Sequence, residues 1–362
     1  MVRIAICNPS IEAGDAVSND MMGMRNVLSA LGHQVYLFSH SAAITESYIK
    51  SVEAIPTFLK DSKDILIYHH ATGWEFGLKL LQNLHCRKVV KFHNVTPPEF
   101  FVGVNEDYVN ICRAGRQQLG ALARINADLY LPDSAYSRQE LLAAGIDGQK
   151  CHVVPPFHQI DRMRDIEADL NVLERFDNTA INILMVGRLA PNKNHNMLIE
   201  VFSVYHQVYN AHSRLFIVGG EDPKLRAYTE RLTNQVKETG LGDRVVFTGK
   251  VSDAALKAYY LLAHVFVITS HHEGFCVPLI EAMSMKIPIV AYGTTAIPET
   301  VGKVGLVWEE CDPQLIAASI NKIAQEESLR VTLGEMGWYR YTTTFTNNKI
   351  GITFLEALNH LL

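Results

Sequence analysis

Residues 265–286 read VFVITSHHEGFCVPLIEAMSMK and carry much of the information about the fold. The run VFVITS is short, apolar and rich in β-branched residues, which predicts a buried strand. A loop that contains Gly274 follows, and helical periodicity resumes around Val277. A strand, a loop and a helix in this order are typical of βαβ units, so the segment predicts a parallel sheet.

The same alternation of apolar runs and amphipathic stretches occurs in both halves of the chain. In the first half, strands are predicted at 3–7, 34–39, 64–70, 89–94, 128–132 and 152–156. In the second half, they are predicted at 181–187, 215–220, 244–249, 265–270, 287–292 and 304–308. Two such series predict an α/β protein with two Rossmann-like doubly wound domains that face a central cleft.

A charged segment at 157–180 interrupts the strand rhythm and separates the two series. We therefore expect an N-terminal domain at 1–165, a linker at 166–180 and a C-terminal domain at 181–345. The last stretch, 346–362, has an apolar face and no strand after it. It is expected to form a helix that packs back on the N-terminal domain.

Composition and charge limit the class of protein. The chain has 362 residues, of which 48% are hydrophobic and 20% are charged, so a disordered chain is excluded. A formal charge of -5 without a run of cations argues against a nucleic-acid partner. No apolar run reaches the roughly 18 residues of a membrane span, and the start of the chain lacks the apolar core of a signal peptide. These features, with scattered cysteines that form no C-x-x-C pair, predict a cytoplasmic protein.

Two glutamates lie eight residues apart after the strand at 265–270. Glu273 is in the loop, and Glu281 is in the first turns of the helix. A helix start attracts anions, so a phosphate is the expected ligand beside the loop. Two carboxylates would repel that phosphate unless they accept hydrogen bonds from sugar and ribose hydroxyls. The alternative is that Glu281 complements the helix dipole and Glu273 is solvated.

Two cations follow the strand at 181–187, in the sequence GRLAPNK. Arg188 offers a rigid guanidinium fork, and Lys193 offers a flexible ammonium. Together they suit a diphosphate whose negative charge grows as it leaves. Taken singly, each cation is more often an ordinary surface charge.

The segments GRLAPNKNH and EGFCVPLIEAM, about eighty residues apart, resemble the GT-B glycosyltransferases of family 4. Glu273 and Glu281 match the E-x7-E motif of that family, and Arg188 and Lys193 match its Arg/Lys pair. The resemblance covers most of 180–310 and extends more weakly into the first half. It implies a hexosyltransferase that moves a hexose, with retention, from a nucleotide sugar to a hydroxyl of a glycan or lipid-linked acceptor in polysaccharide biosynthesis. UDP-glucose or a similar UDP-hexose is the preferred donor, and GDP-mannose comes next.

The resemblance also assigns roles to single residues. Arg188 and Lys193 would neutralise the diphosphate, while Glu281 would accept hydrogen bonds from the ribose and Glu273 from the transferred sugar. His93, at a strand end in KFHNVTPPEFF, matches the histidine that contacts the donor sugar. It joins Glu273 and the two cations as a catalytic candidate. The remaining donor-binding candidates are Gly14, Lys250, Val251, Gly274, Phe275, Cys276 and Val277.

No metal or other cofactor is expected, because the cations and the helix start would stabilise the leaving diphosphate and the chain contains no Asp-x-Asp pair. The expected partners are the nucleotide-sugar donor and the glycan or lipid-linked acceptor. Arg113, Arg116 and Arg124 allow a peripheral contact with the inner face of a membrane, although a solvated helix face is the simpler interpretation. Two rivals stay open, a GT-B sugar-nucleotide epimerase and a binding subunit without turnover. A nicotinamide dehydrogenase is disfavoured, since no G-x-G-x-x-G follows a strand.

Overall fold

The computed structural model describes residues 1–176 and 178–362, which form two compact units. The first unit comprises Met1–Glu99, Asp107–His158 and Phe345–Leu362, and the second comprises Phe100–Glu106 and Gln159–Thr344. The expected linker, 166–180, lies within the second unit, apart from Asp177, which is outside the described residues. Its backbone is tied there, because the N–H of Asp169 donates to the carbonyl of Ala254 at 3.1 Å.

The strands of the first unit form one large sheet and one small sheet. The strands are β1 (Arg3–Cys7), β2 (Ser10–Ile11), β3 (Gln34–Ser39), β4 (Ser41–Ala42), β5 (Ile49–Ser51), β6 (Ile65–His70), β7 (Arg87–Phe92) and β8 (Leu129–Pro132). The large sheet is parallel with the order β5-β3-β1-β6-β7-β8, and β2 pairs with β4. The strand expected at 152–156 is reduced to a single bridge between Cys151 and Tyr130. Pro155 and Pro156 lack the N–H groups that would continue it.

The helices have the following bounds in chain order. They are α1 (Ala16–Ala30), α2 (Ile55–Phe58), α3 (Glu75–Asn83), α4 (Glu106–Ile125), α5 (Ala135–Ala143), α6 (Ile160–Asp165), α7 (Leu170–Phe176), α8 (His195–Val204), α9 (Arg226–Glu238), α10 (Asp253–Leu262), α11 (Val277–Ser284), α12 (Ile297–Val301), α13 (Pro313–Gln325), α14 (Glu327–Arg340) and α15 (Asn347–Leu358). Among the described residues, no helix combines the length and apolarity needed to cross a bilayer.

The last helix, α15, completes the core of the first unit. Its fully buried Phe354 lies edge-on to Phe157, with ring centroids 5.9 Å apart. Ile350 and Phe354 belong to the same buried cluster as Met21 of α1 and the apolar residues of β1 and β6. The apolar face of α15 therefore packs into the core of the first unit.

The second unit is built on a second parallel sheet. Its strands are β9 (Ile181–Val186), β10 (Ser213–Val218), β11 (Val245–Phe247), β12 (Val265–Ile268), β13 (Ile289–Tyr292) and β14 (Leu306–Trp308). They lie in the order β11-β10-β9-β12-β13-β14. All four residues of β12 are buried, as expected for a strand covered on both faces. The prediction of two Rossmann-like doubly wound domains is confirmed.

Each large sheet reverses its strand order at one place. The reversal lies between β1 and β6 in the first sheet and between β9 and β12 in the second. Open α/β sheets bind ligands at such a switch point, outside the carboxyl ends of the strands. The loop after β9 carries Arg188 and Lys193, and the loop after β12 carries Glu273. The topology therefore brings these three predicted site residues to the switch point of the second sheet.

Candidate active site

The loops after β9 and β10 run in direct backbone contact. The N–H of Gly187 donates to Val218 and that of Leu189 donates to Gly220, so the two segments stay paired beyond the strands. A Cβ placed on Gly219 would lie 2.0 Å from the carbonyl oxygen of Gly187. Only a glycine fits at 219, and this close approach fixes the position of Arg188. The Arg188 guanidinium lies 3.6 Å from the carboxylate of Asp222, and about half of its side chain is exposed.

Lys193 and Glu273 form a bidentate ion pair at the switch point. The ammonium of Lys193 donates to both carboxylate oxygens of Glu273, at 2.7 and 2.8 Å. The hydroxyl of Ser270 donates to the same carboxylate at 2.7 Å, and Glu273 is only 6% exposed. Burial alone would lower the pKa of Lys193, but the Glu273 carboxylate outweighs it and the net pKa is raised. Lys193 is therefore a cation at neutral pH.

The loop between β12 and α11 is held by threonine side chains. The N–H of Glu273 donates to the hydroxyl of Thr295 at 3.0 Å, and the hydroxyl of Thr300 donates to the carbonyl of Phe275 at 2.8 Å. Cys276, the residue before α11, has a left-handed backbone with φ 74°. This conformation costs a non-glycine residue about 1–2 kcal/mol, and such strain concentrates at functional sites. It turns the N-terminus of α11 towards the loop, where backbone N–H groups favour an anion.

Glu281 lies one turn into α11 and is tied to α10. The phenol of Tyr260 donates to its Oε2 at 2.6 Å. Burial raises the pKa of Glu281, and the hydrogen bond from Tyr260 lowers it in part. Glu281 is therefore held by a defined partner. The alternative interpretation also makes Glu273 a solvated residue, which does not agree with its 6% exposure.

Two of the donor-binding candidates, Lys250 and Val251, follow β11. Gly249 has a left-handed backbone with φ 67° and turns the chain towards α10. The Cβ of Lys250 comes within 3.6 Å of the position that a Cβ on Gly220 would take. Lys250 is exposed and Val251 is half-buried. Both therefore lie at the same carboxyl edge of the second sheet as the loop after β10.

Gly14 belongs to a capped turn before α1. Its φ of 79° lies in the left-handed region, and a Cβ on Gly14 would meet no atom within 4 Å. The backbone conformation, rather than a steric contact, therefore favours glycine at this position. The carboxylate of the next residue, Asp15, caps α1 by accepting from the N–H and the hydroxyl of Ser18, each at 2.9 Å. The turn is thus held by side chains around Gly14.

His93 lies in a buried network at the carboxyl ends of the first sheet. Its Nδ1–H donates to Asp133 at 2.9 Å, and its Nε2 lies 2.8 Å from Nδ1 of His69. The ammonium of the fully buried Lys91 contacts Asp133 and lies 3.9 Å from Asp20. Burial raises the pKa of Asp20 to about 6 against the opposing effects of Lys91 and His93. The same two cationic or protonatable neighbours overcome burial at Asp133 and lower its pKa.

Asp20, His69 and His93 have the residue types of a metal site, with one ligand atom each within 4.8 Å of one another. Two imidazole nitrogens on one tetrahedral zinc, at about 2.0–2.1 Å from the ion, would stand about 3.3 Å apart. Those of His69 and His93 are 2.8 Å apart, which is a hydrogen-bond distance. Lys91 also places a positive charge beside Asp20. The geometry and the charge therefore fit a hydrogen-bonded network better than a dication.

One stretch of the second half matches a known protein family. The stretch 169–337, which contains the Lys193–Glu273 pair and Glu281, matches the family described as glycosyl transferases group 1. Residues 169–337 are a glycosyl transferases group 1 domain. The resemblance drawn from GRLAPNKNH and EGFCVPLIEAM is thereby confirmed for this domain.

The curated relatives match this chain over about half of its length. Mannosylfructose-phosphate synthase of Agrobacterium fabrum is 30% identical over 209 residues, which are 56% of this chain and 46% of that protein. The GDP-mannose-dependent alpha-(1-6)-phosphatidylinositol monomannoside mannosyltransferase of Mycobacterium tuberculosis is 27% identical over 56% of this chain and 54% of its own length. The chain thus spans about half the length of these curated relatives. The structure of sucrose-phosphate synthase from Thermosynechococcus elongatus aligns with a TM-score of 0.79 at 19% identity, over 100% of this chain and 99% of that one, which shows a shared fold.

The glycosyl transferases group 1 domain contains ten of the twelve catalytic and donor-binding candidates from the sequence. These are Arg188, Lys193, Lys250, Val251, Glu273, Gly274, Phe275, Cys276, Val277 and Glu281. Gly14 and His93 lie in the first unit, outside this domain. Sequence reasoning missed Ser270 and Tyr260, which hold the two glutamates. Ser270 could have been found as a polar residue at a strand end, whereas no spacing pattern links Tyr260 to a glutamate 21 residues later.

Proposed function

We propose that this protein is a retaining glycosyltransferase that moves a hexose from a nucleotide sugar to a hydroxyl of a glycan or lipid-linked acceptor. The observation that supports this most directly is the Lys193–Glu273 pair at the switch point of the glycosyl transferases group 1 domain. The names of two relatives, a mannosylfructose-phosphate synthase and a mannosyltransferase, also favour hexosyl transfer.

The pair can serve a diphosphate and a sugar at the same time. An ammonium has three N–H groups, and Lys193 uses two of them on Glu273, which leaves the third for a phosphate oxygen. Glu273 keeps lone pairs that accept hydrogen bonds from hydroxyls of the transferred hexose. Arg188 adds a second cation, and the N-terminus of α11 adds backbone N–H groups for the diphosphate.

The proposed reaction needs no separate carboxylate base. The bond between the anomeric carbon and the diphosphate oxygen breaks, and the bond to the acceptor oxygen forms on the same face of the sugar. The acceptor proton passes to the departing phosphate oxygen. Arg188 and Lys193 stabilise the negative charge that develops on the diphosphate, so no metal is required in this scheme. His93 and Gly14 are also proposed as donor-binding residues.

A UDP-hexose such as UDP-glucose is the first donor to test, and GDP-mannose is the second. The name of the Mycobacterium tuberculosis relative, a GDP-mannose-dependent mannosyltransferase, supports testing GDP-mannose as well. Thermal unfolding with UDP, GDP and their hexose conjugates would identify the base, because a ligand that binds the native state raises the Tm. Product analysis with the selected donor then identifies the transferred sugar and its anomeric configuration.

Three substitutions test the site. Lys193→Ala, Arg188→Ala and Glu273→Ala are each expected to lower kcat by about 10²-fold or more, because each removes charge or positioning at the leaving group. Lys322→Ala is a matched control, since Lys322 is an exposed helical lysine paired with the exposed Glu326. Near-wild-type transfer by all three site variants, with the correct donor and acceptor, would show that the site lies elsewhere. Conversion of the donor to an isomer without any acceptor would favour an epimerase, and tight binding without turnover would favour a binding subunit.

A peripheral membrane contact is proposed for α4 through Arg113 and Arg124, which are exposed. Arg116 has another role, because it donates to the carbonyl of Val95 at 2.9 Å and pairs with Glu140 at 3.2 Å. Sedimentation with vesicles of phosphatidylcholine and phosphatidylglycerol would test this. Arg113→Glu with Arg124→Glu should reduce binding to the anionic vesicles, and equal binding by wild type and variant would contradict the proposal.

A further inference from the structure

Tyr260 of α10 is a buried phenol that the sequence motifs leave without a role. Its side chain is 1% exposed, and its ring lies nearly parallel to that of Phe266, with centroids 6.4 Å apart. A buried phenol requires a hydrogen-bond partner. That partner is Glu281, whose Oε2 lies 2.6 Å from the phenol oxygen.

The direction of this hydrogen bond follows from the chemistry of both groups. Burial and the neighbouring Glu281 carboxylate raise the pKa of Tyr260 well above its usual range, so the phenol keeps its proton and donates. A distance of 2.6 Å is within the range of about 2.5–2.7 Å found when a hydroxyl donates to an ionised carboxylate. Glu281 therefore uses Oε2 inside the protein and has Oε1 left to accept from another donor.

We propose that Tyr260 is a positioning residue that holds Oε2 of Glu281 and so presents Oε1 to the ribose hydroxyls of the nucleotide donor. The inference rests on the proposed function, because it assigns the use of a site residue for a nucleotide sugar. Removal of the phenol hydroxyl frees the carboxylate to rotate and leaves a buried acceptor without its partner. The ribose would then bind a less ordered carboxylate, and donor affinity would fall.

Tyr259 provides a matched control on the same helix. Its ring packs against Phe216 and Phe176, with centroids 5.0 and 6.1 Å away. The phenol that donates to Glu281 is that of Tyr260. Tyr259 is also buried, at 6% exposed. Tyr259→Phe and Tyr260→Phe remove the same atom from adjacent buried positions. A difference between them therefore reports the hydrogen bond to Glu281.

The test compares ribose with deoxyribose ligands. UDP, 2′-deoxy-UDP and 3′-deoxy-UDP are the probes, or the GDP series if GDP is the nucleotide that raises the Tm. Tyr260→Phe should weaken ribonucleotide binding by about tenfold, as expected for the loss of one hydrogen bond to a charged group. It should raise KM for the donor with little change in kcat. For the deoxy probe that lacks the recognised hydroxyl, wild type and variant should bind equally, and Tyr259→Phe should match wild type with every probe.

A second measurement does not depend on the fraction of folded protein. The ratio of ribo- to deoxynucleotide affinity is internal to each preparation, so partial misfolding of Tyr260→Phe leaves it interpretable. A Tyr260→Phe penalty that is equal for ribose and all deoxy probes would overturn the inference and indicate a packing role. No penalty at all would also overturn it.

Glu281→Gln separates failure of the inference from failure of the proposed function. If Glu281→Gln binds ribonucleotides as wild type does, the nucleotide site itself is misplaced and the proposed function loses its support. If Glu281→Gln weakens binding and Tyr260→Phe does not, the site stands and only the role of Tyr260 is wrong. The acid limb of the pH profile gives a further check, since loss of the Tyr260 hydrogen bond should move it to higher pH. The other titratable groups that act on this pair are Asp253 and Cys276, and they are the same in both tyrosine variants.

Discussion

Gly219 gives the most direct test of how the second sheet positions Arg188. The perturbation is one methyl group, introduced by Gly219→Ala. The new Cβ would lie 2.0 Å from the carbonyl oxygen of Gly187 and 2.5 Å from its carbon. Gly220→Ala is the matched control, because its Cβ would lie 3.6 Å from the Cβ of Lys250, an ordinary van der Waals distance.

The size of the effect follows from these distances. Ordinary contact begins at 3.4 Å, so the loop that carries Arg188 has to move by about 1.4 Å. Overpacking of this kind costs about 1–3 kcal/mol, and a shift of about 1 Å at a reacting centre lowers rates by about 10²-fold. We expect Gly219→Ala to lower the free energy of unfolding by about 2–3 kcal/mol and kcat/KM by about 10²-fold. Gly220→Ala should change the free energy of unfolding by less than about 1 kcal/mol.

Urea unfolding followed by circular dichroism measures the stability change, and initial rates of transfer measure the catalytic one. Unfolding midpoints are compared at equal m-values, so that a change in midpoint reports stability. The reasoning would be refuted if Gly219→Ala and Gly220→Ala had the same unfolding free energy and the same kcat/KM. It would also be refuted if Gly220→Ala were the more damaging variant.

Two further outcomes are expected. EDTA should leave transfer unchanged, because Arg188, Lys193 and the start of α11 stabilise the diphosphate in the proposed mechanism. Complete loss of activity that Mg²⁺ or Mn²⁺ restores would contradict this mechanism. Burial raises the pKa of Asp20 from 3.8 to about 6, so between these two pH values the native state holds a proton on Asp20 that the unfolded state has released. The contribution of Asp20 to the free energy of unfolding should therefore fall as the pH rises. This group alone should remove about 2–3 kcal/mol of unfolding free energy between about pH 4 and pH 6. Asp20→Asn should abolish that contribution, and identical pH dependence of urea unfolding in wild type and variant would show that the assignment is wrong.

The alternation of apolar runs predicted both sheets because a strand buried on both faces leaves a continuous apolar signal in the sequence. The four buried residues of β12 are an example. β5 was missed because it has three residues, IKS, two of which are exposed. The expected strand at 152–156 failed because two prolines interrupt its hydrogen bonding.

The candidate site was predictable where function depends on a position at the end of a strand. Lys193 and Glu273 each follow a strand, and the topology then brings them together. The network around His93 was not predictable, because His69, Asp133 and Asp20 come from separate elements and meet only in three dimensions. One local signal existed, since Lys91 is a charged residue between the apolar Val90 and Phe92 of β7.

The last helix bears on the order in which the nascent chain acquires structure. The ribosome makes Phe354 after every residue of the second unit, yet Phe354 is buried in the core of the first. Until α15 emerges, the face of the first unit around Met21 and Phe157 lacks its cover. The unit that is translated first is therefore completed only after the second unit has been made. A stop codon just before α15 would damage the first unit rather than the glycosyl transferases group 1 domain.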